Sequence, residues 1–132
     1  MSTDRKKLAL AYLEAVAKQQ YDKLERILTP DLQFRGPAMT RTSAAEYLAA
    51  LKRLAAIHVR NDVKRVFVDG DHVCLIYDLV TDTTAGALPA VEWLQFDGDH
   101  ISSIDLYYDR LPWQTVMAAI AERDARPAAQ MA

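Results

Sequence analysis

The 132-residue sequence has a single cysteine, so no disulfide can form within the chain and nothing calls for an oxidising compartment. It also lacks an excess of either charge. Sixteen Lys and Arg stand against 18 Asp and Glu, a net charge of -2, which gives no electrostatic reason to coat nucleic acid or an anionic membrane. Arg60, Lys64 and Arg65 form a modest basic cluster without the interleaved aromatics that single-stranded nucleic acid requires. No apolar run is long enough to span a bilayer, and Met1 to Lys7 leads into alternating polar and apolar residues, unlike a secretory signal. None of the three histidines, His58, His72 and His100, lies at His-x-x-x-His spacing, which argues against a metal centre. The four glycines include no phosphate-binding loop. These absences predict a cytoplasmic protein with no metal or cofactor and no nucleic-acid or membrane partner.

What the sequence does hold is apolar pattern. Apolar residues make up 51% of the chain, enough for one sizeable core, and we expect a single domain over residues 1–123 followed by a mobile tail, 124–132. Leu8, Ala9, Tyr12, Leu13 and Val16 recur at helical spacing, with Ser2, Thr3 or Asp4 available as cap. Tyr21, Leu24, Ile27 and Leu28 form one face of a second helix, which Thr29-Pro30 is expected to stop. Leu32 and Phe34 alternate as in a short strand ending at Gly36-Pro37, and Ser43 with Glu46 is a capping-box pattern opening a third helix.

Beyond residue 58 the period changes to that of strands, expected over 59–68, 72–81, 90–96 and 101–108. Asp69-Gly70-Asp71 and Asp97-Gly98-Asp99 read as hairpin turns, and Pro89 marks the entry to a strand. Trp113, Val116, Met117 and Ile120 suit a short C-terminal helix. Helices first and strands afterwards make an α+β plan, with the helices on one face of an antiparallel sheet. Both faces of these strands are apolar. Cys74, Ile76, Val91, Trp93 and Tyr107 alternate with Leu75, Tyr77, Leu79, Leu94 and Leu106, so a second copy of the chain is expected on the outer face, as a homodimer.

This order of elements resembles the nuclear transport factor 2-like superfamily, and within it the SnoaL-like group that includes polyketide cyclases. The resemblance runs over about residues 5–113 and is carried by Phe34-Arg35-Gly36-Pro37, by Ala90-Val91-Glu92-Trp93-Leu94-Gln95-Phe96-Asp97-Gly98 and by Leu106-Tyr107-Tyr108-Asp109. It implies a cone-shaped, cystatin-like α+β fold: three N-terminal helices packed in a curved antiparallel sheet, enclosing a deep apolar pocket. Isomerases, cyclases, lyases and non-catalytic binding modules share that cone, so function must be argued from the site.

Against the ketosteroid isomerases of the superfamily, Tyr12 falls at the phenol of the oxyanion hole and Glu92 at a carboxylic acid kept neutral by an apolar site. Their proton-moving carboxylate would fall on Gly36, which cannot do that work. The Asp-Arg-Asp set of limonene epoxide hydrolases would map to Leu79, Tyr77 and Leu106, which excludes their chemistry.

Independently of any family, Glu92 sits among Val91, Trp93, Leu94 and Phe96, where an ionised carboxylate must find a partner or give up its charge. An exposed or salt-bridged strand glutamate is the other reading. Tyr12 is likewise either a catalytic phenol or a core tyrosine. Phe34, Tyr47, Leu51, Tyr77, Leu79, Leu94, Leu106 and Tyr108 are candidates for the pocket wall, with His58 and Trp113 at its rim. Asp78 and Asp105 occupy the alternate, outward positions. The expected ligand is a small apolar or aromatic molecule. The expected function is cofactor-independent isomerase, cyclase or lyase chemistry by acid–base catalysis; the alternative is a binding or dimerisation module that lacks the base.

Overall fold

The computed structural model describes residues 4–125. Helix α1 (Arg5–Ala17) starts at Asp4, whose carboxylate accepts from Lys7 N at 3.1 Å; Ser2 and Thr3, the other candidate caps, lie outside the described residues. It buries Ala9, Tyr12, Leu13 and Ala15. Helix α2 (Tyr21–Ile27) ends just ahead of Thr29-Pro30 as expected, and the chain passes directly into strand β1 (Leu28–Arg35), which takes in both Leu28, expected on the helix, and Pro30. Leu28 is already the first strand residue. Pro30 is tolerated there because the ladder with its neighbour breaks between Leu28 and Gln33, where the missing N–H is not needed.

Gly36 N bonds Met39 O at 2.9 Å, turning the chain into the two-residue strand β2 (Thr40–Arg41). Helix α3 (Ala44–Leu54) opens as its capping pattern predicts: Ser43 Oγ accepts from Glu46 N at 3.1 Å. The Glu46 carboxylate reaches back one residue further than expected, to Thr42 N at 2.9 Å.

Strands β3 (His58–Asp69), β4 (His72–Thr81), β5 (Ala87–Asp97) and β6 (His100–Tyr108) follow. The turns after β3 and β5 place Gly70 and Gly98 at φ of 58° and 61°, a conformation glycine adopts without a Cβ clash. Pro89 lies inside β5 rather than at its entry. Strand β6 ends opposite Ala90, so β5 has a neighbour on only one side at Pro89.

The six strands form one sheet in the order β2-β1-β6-β5-β4-β3. It is mixed rather than wholly antiparallel: β1 returns beside β6 in parallel after the helical segments, and every other pairing is antiparallel. Bulges between His58 and Arg60, Val63 and Arg65, and Gln95 and Phe96 bend and twist the strands around the helices.

The inner face carries Val73, Leu75, Tyr77 and Leu79 from β4 and Leu88, Ala90, Glu92, Leu94 and Phe96 from β5, all buried. The apolar ones other than Leu88 join the buried faces of α1 and α3 in one core. A second, smaller cluster unites Val116 and Ile120 of helix α4 (Arg110–Ala125) with Ile57 and Leu88.

At 16 residues α4 is longer than the short helix expected, and Pro112 in its first turn costs no helical hydrogen bond. Asp124, expected in a mobile tail, belongs to this helix and pairs with Arg53 at 3.1 Å. The rest of the expected tail, residues 126–132, lies outside the described residues.

Candidate active site

Strand alternation decides which way Glu92 points. It shares the inner face with Ala90 and Leu94, opposite Leu75 of β4 and Leu106 of β6, and is only 3% exposed. Its neighbour Trp93 faces outward, 41% exposed, with Nε1 donating to His72 Nδ1 at 3.0 Å.

Three phenols surround the Glu92 carboxyl. Tyr12 Oη, from α1, donates to Glu92 Oε1 at 3.3 Å and also shares a short hydrogen bond with Tyr47 Oη of α3. With Tyr12's one proton directed at Glu92, Tyr47 supplies the proton of the phenol pair, giving a chain from Tyr47 through Tyr12 to Glu92. Stacking on Phe34, with ring centroids 4.7 Å apart, fixes the Tyr47 ring. Tyr77, diagonal to Glu92 on β4, has no hydrogen-bond partner for its hydroxyl among the described residues.

Burial pushes the Glu92 pKa up to about 7, against the smaller opposing effect of the Tyr12 hydrogen bond. Glu92 Oε2 is buried without any partner among the described residues. Burial, followed by the nearby Glu92 charge, holds Tyr12, Tyr47 and Tyr77 well above the usual phenol range, so they stay neutral donors.

A cavity of about 220 Å³ lies beside this cluster. Its wall includes Glu92 and, of the residues expected there, Phe34, Tyr47, Leu51, Tyr77 and Leu79. Leu106, Tyr108, His58 and Trp113 also lie on it.

Two expected residues are not on the wall. Leu94 is fully buried in the core beneath it, and Tyr12 stands behind it, touching the site only through Glu92 and Tyr47. The buried interior position of Tyr12 makes it a holder of the carboxyl rather than a group presented to a ligand.

The sequence reading missed Asn61, Arg53, Met117 and Ile120, all on the cavity wall. Asn61 is the informative one. Simple alternation from His58 would turn it outward, but a bulge between His58 and Arg60 restores it to the inner face opposite Leu79. There its Oδ1 pairs with His58 Nε2 at 2.8 Å and its Nδ2 donates to Leu13 O at 3.2 Å. Burial lowers the His58 pKa, so this histidine is neutral at neutral pH.

Gly36 also borders the cavity, and a Cβ there would come within 3.3 Å of the Phe34 ring. Asp105 and Asp78 face outward, where Asp105 binds Arg35 at 2.7 Å and Asp78 pairs with Lys64 at 3.2 Å. Half-buried Cys74 lies on the same outer face as Trp93, its thiol pKa raised by burial. Among the described residues no group of three or more His, Cys, Asp or Glu converges, and no helix is long and apolar enough to cross a membrane.

The model of the SnoaL-like domain matches residues 9–104. No curated protein matches the sequence. Among solved structures, a nuclear transport factor 2-like protein of Cytophaga hutchinsonii is 23% identical, with a TM-score of 0.75 over 86% of this chain and 96% of its own. A steroid delta-isomerase of Pseudomonas aeruginosa is 18% identical, with a TM-score of 0.74 over 95% of this chain and 94% of that one. A bacterial protein with a cystatin-like fold from Silicibacter pomeroyi is 19% identical, with a TM-score of 0.69 over 86% and 83% of the two chains. At these identities the likeness establishes the fold. The chain belongs to the SnoaL-like family, with the nuclear transport factor 2-like fold.

Proposed function

We propose that the protein is a cofactor-independent enzyme that moves a proton beside the carbonyl of a small, mainly apolar molecule. The observation that carries this reading is the Glu92 carboxyl: buried on a cavity wall, poised near neutral pH, and with Oε2 unpartnered. In the reaction, Glu92 Oε2 takes a proton from the carbon next to the carbonyl, and the C–H electron pair passes to oxygen as an enolate. The free Tyr77 hydroxyl donates to that oxygen, while Tyr12 and Tyr47 hold the carboxyl. Return of the same proton to another carbon completes an isomerisation with no net consumption of acid or base.

The test is deuterium exchange into the α-position of β-tetralone. Glu92→Gln is expected to slow enzyme-dependent exchange by about 10²–10⁴-fold. Equal exchange by both proteins removes Glu92 as the proton carrier.

Gly36 favours a second reading, a ligand-binding module without chemistry, since no carboxylate stands at the position where the isomerase resemblance puts the base. That reading predicts bound ketone and no enzyme-dependent exchange in the wild type.

We also propose that a second copy of the chain covers the outer sheet face. Phe67 and Tyr107, 57% and 54% exposed, flank Trp93, Val91 and Cys74 there. A continuous aromatic and aliphatic surface of this kind is more than a single solvated sheet face requires.

A further inference from the structure

We infer that the site takes a ketone of one ring or two fused rings and excludes a four-ring one, that the ligand enters between helices α3 and α4, and that Met117 sets the size limit at this entrance. This rests on the acid–base reading of Glu92 and adds to it the size of the substrate and its path.

Volume bounds the ligand first. An apolar cavity of about 150 Å³ holds one benzene ring. At about 220 Å³ this cavity is roughly half as large again, which leaves room for a second small ring but not for a third and fourth. Depth agrees with volume. Glu92, Ala90 and Leu88 succeed one another along the inner face of β5, and Leu88 packs against Val116 and Ile120 of α4. Helix α4 therefore meets β5 four residues from Glu92, a strand distance of about 13 Å, and the side chains at both ends take up part of that span.

The entrance follows from which wall residues are also exposed. Glu46, Ala49 and Arg53 of α3 and Met117 of α4 line the cavity and are exposed. The three α3 residues stand at i, i+3 and i+7, along one flank of that helix. On α4, Trp113, Met117 and Ile120 stand at i, i+4 and i+7; Ile120 is buried, whereas Met117 is 37% exposed. The rim thus runs from the flank of α3 to Met117.

Of these four side chains Met117 alone is both large and unengaged. Arg53 is held by Asp124 at 3.1 Å, and Glu46 accepts from Thr42 N at 2.9 Å. Ala49 contributes a single methyl group. Met117 makes no hydrogen bond, and its unbranched thioether chain fills the gap by packing alone, so its length decides how wide the gap is.

The test titrates β-tetralone, with two rings, and androst-4-ene-3,17-dione, with four, into wild type, Met117→Ala and Met117→Trp. Each ketone is added alone and in competition with the other, which confines the comparison to one site. Wild type should prefer β-tetralone by about tenfold or more. Met117→Ala should narrow that preference by about three- to tenfold, and Met117→Trp should weaken β-tetralone itself by about tenfold. Because Met117 is exposed, truncation to Ala should leave the fold intact, and that variant decides the matter even if Met117→Trp does not fold. Displacement of β-tetralone from wild type by the four-ring ketone at equal or lower concentration overturns the size limit. A preference that Met117→Ala does not shift overturns the role of Met117, and a wild type that binds neither ketone overturns both. Failure of the acid–base reading shows separately, as ketone bound with the expected preference while exchange is absent or indifferent to Glu92→Gln.

Discussion

Tyr12 and Glu92, 80 residues apart, meet with the phenol oxygen 3.3 Å from Oε1, while Oε2 of the same carboxyl has no partner among the described residues. One oxygen is held and the other is buried with no hydrogen bond. A carboxylate bonded on both oxygens would be a structural group, and one bonded on neither would be poorly placed. Burial sets the raised pKa of Glu92 and the Tyr12 hydrogen bond sets its orientation, and most of the predictions follow from the two.

Glu92 should make the protein less stable as pH rises. Its pKa in the folded protein is about 7, above the ordinary value of 4.5, so between those values the folded state binds the extra proton. The contribution is fully present below about pH 4.5, is lost as pH rises to about 7, and amounts to about 3 kcal/mol. Tyr12, Tyr47 and Tyr77, which face the carboxyl, remain neutral throughout this range. Urea unfolding from pH 4.5 to 8 should give a wild-type curve that falls relative to that of Glu92→Gln. Parallel curves would show that Glu92 titrates normally.

Catalysis should have the opposite pH dependence, because the base must be ionised. Exchange into β-tetralone should rise with pH and level off above about 7, following the Glu92 carboxyl. Tyr12→Phe removes the hydrogen bond that lowers this pKa, so the inflection should move upward. The variant should also lose about 1–2 kcal/mol of stability, because Tyr47 and Glu92 both lose a partner.

Tyr77→Phe separates polarising the ligand from holding the base. Tyr77 makes no hydrogen bond to another described residue, so its removal should cost little stability. Loss of an oxyanion donor should slow exchange by about 10²-fold while the pH inflection stays in place. A shifted inflection with an unchanged plateau would instead assign Tyr77 to the carboxyl.

Gly36→Ala tests the packing that sets Tyr47. The added Cβ would lie 3.3 Å from the Phe34 ring, which stacks on Tyr47. If the stack yields, the cost should be about 1 kcal/mol of stability together with weaker ketone binding. Thermal unfolding and ketone titration measure both, and unchanged values would show that the wall has slack.

The homodimer is checked by sedimentation. Wild type should run as a dimer and Tyr107→Asp as a monomer, since a charge would be placed in the apolar outer face. Ketone binding should survive, because Tyr107 lies on the face opposite the cavity. Two identical sedimentation profiles would remove this surface as the contact.

Local sequence was informative wherever local physics decides. Ser43 and Asp4 cap helices because a short polar side chain satisfies a backbone N–H within three residues. Gly70 and Gly98 turn hairpins because their positive φ is strained for a residue with a Cβ. On β4, β5 and β6 alternation sorted the pocket candidates into two faces, and only the family resemblance said which face turns inward. Pro30 and Pro89 lie inside strands expected to begin only after them, for the complementary reason. A proline is acceptable inside a strand when the ladder has a gap or an open side there, and a neighbouring strand decides that.

The sequence by itself determined an α+β chain of one core, an apolar pocket wall, and the conflict of a lone carboxylate among aromatics. Tertiary structure alone decided how that conflict is resolved. It placed Tyr12 behind the wall, sank Leu94 into the core, and turned Asn61 inward through a bulge that no local pattern announces. It also left one oxygen of Glu92 buried without a partner among the described residues. Alternation and capping depend on neighbours a few residues away, whereas strand register, bulges and the meeting of side chains depend on contacts between distant segments.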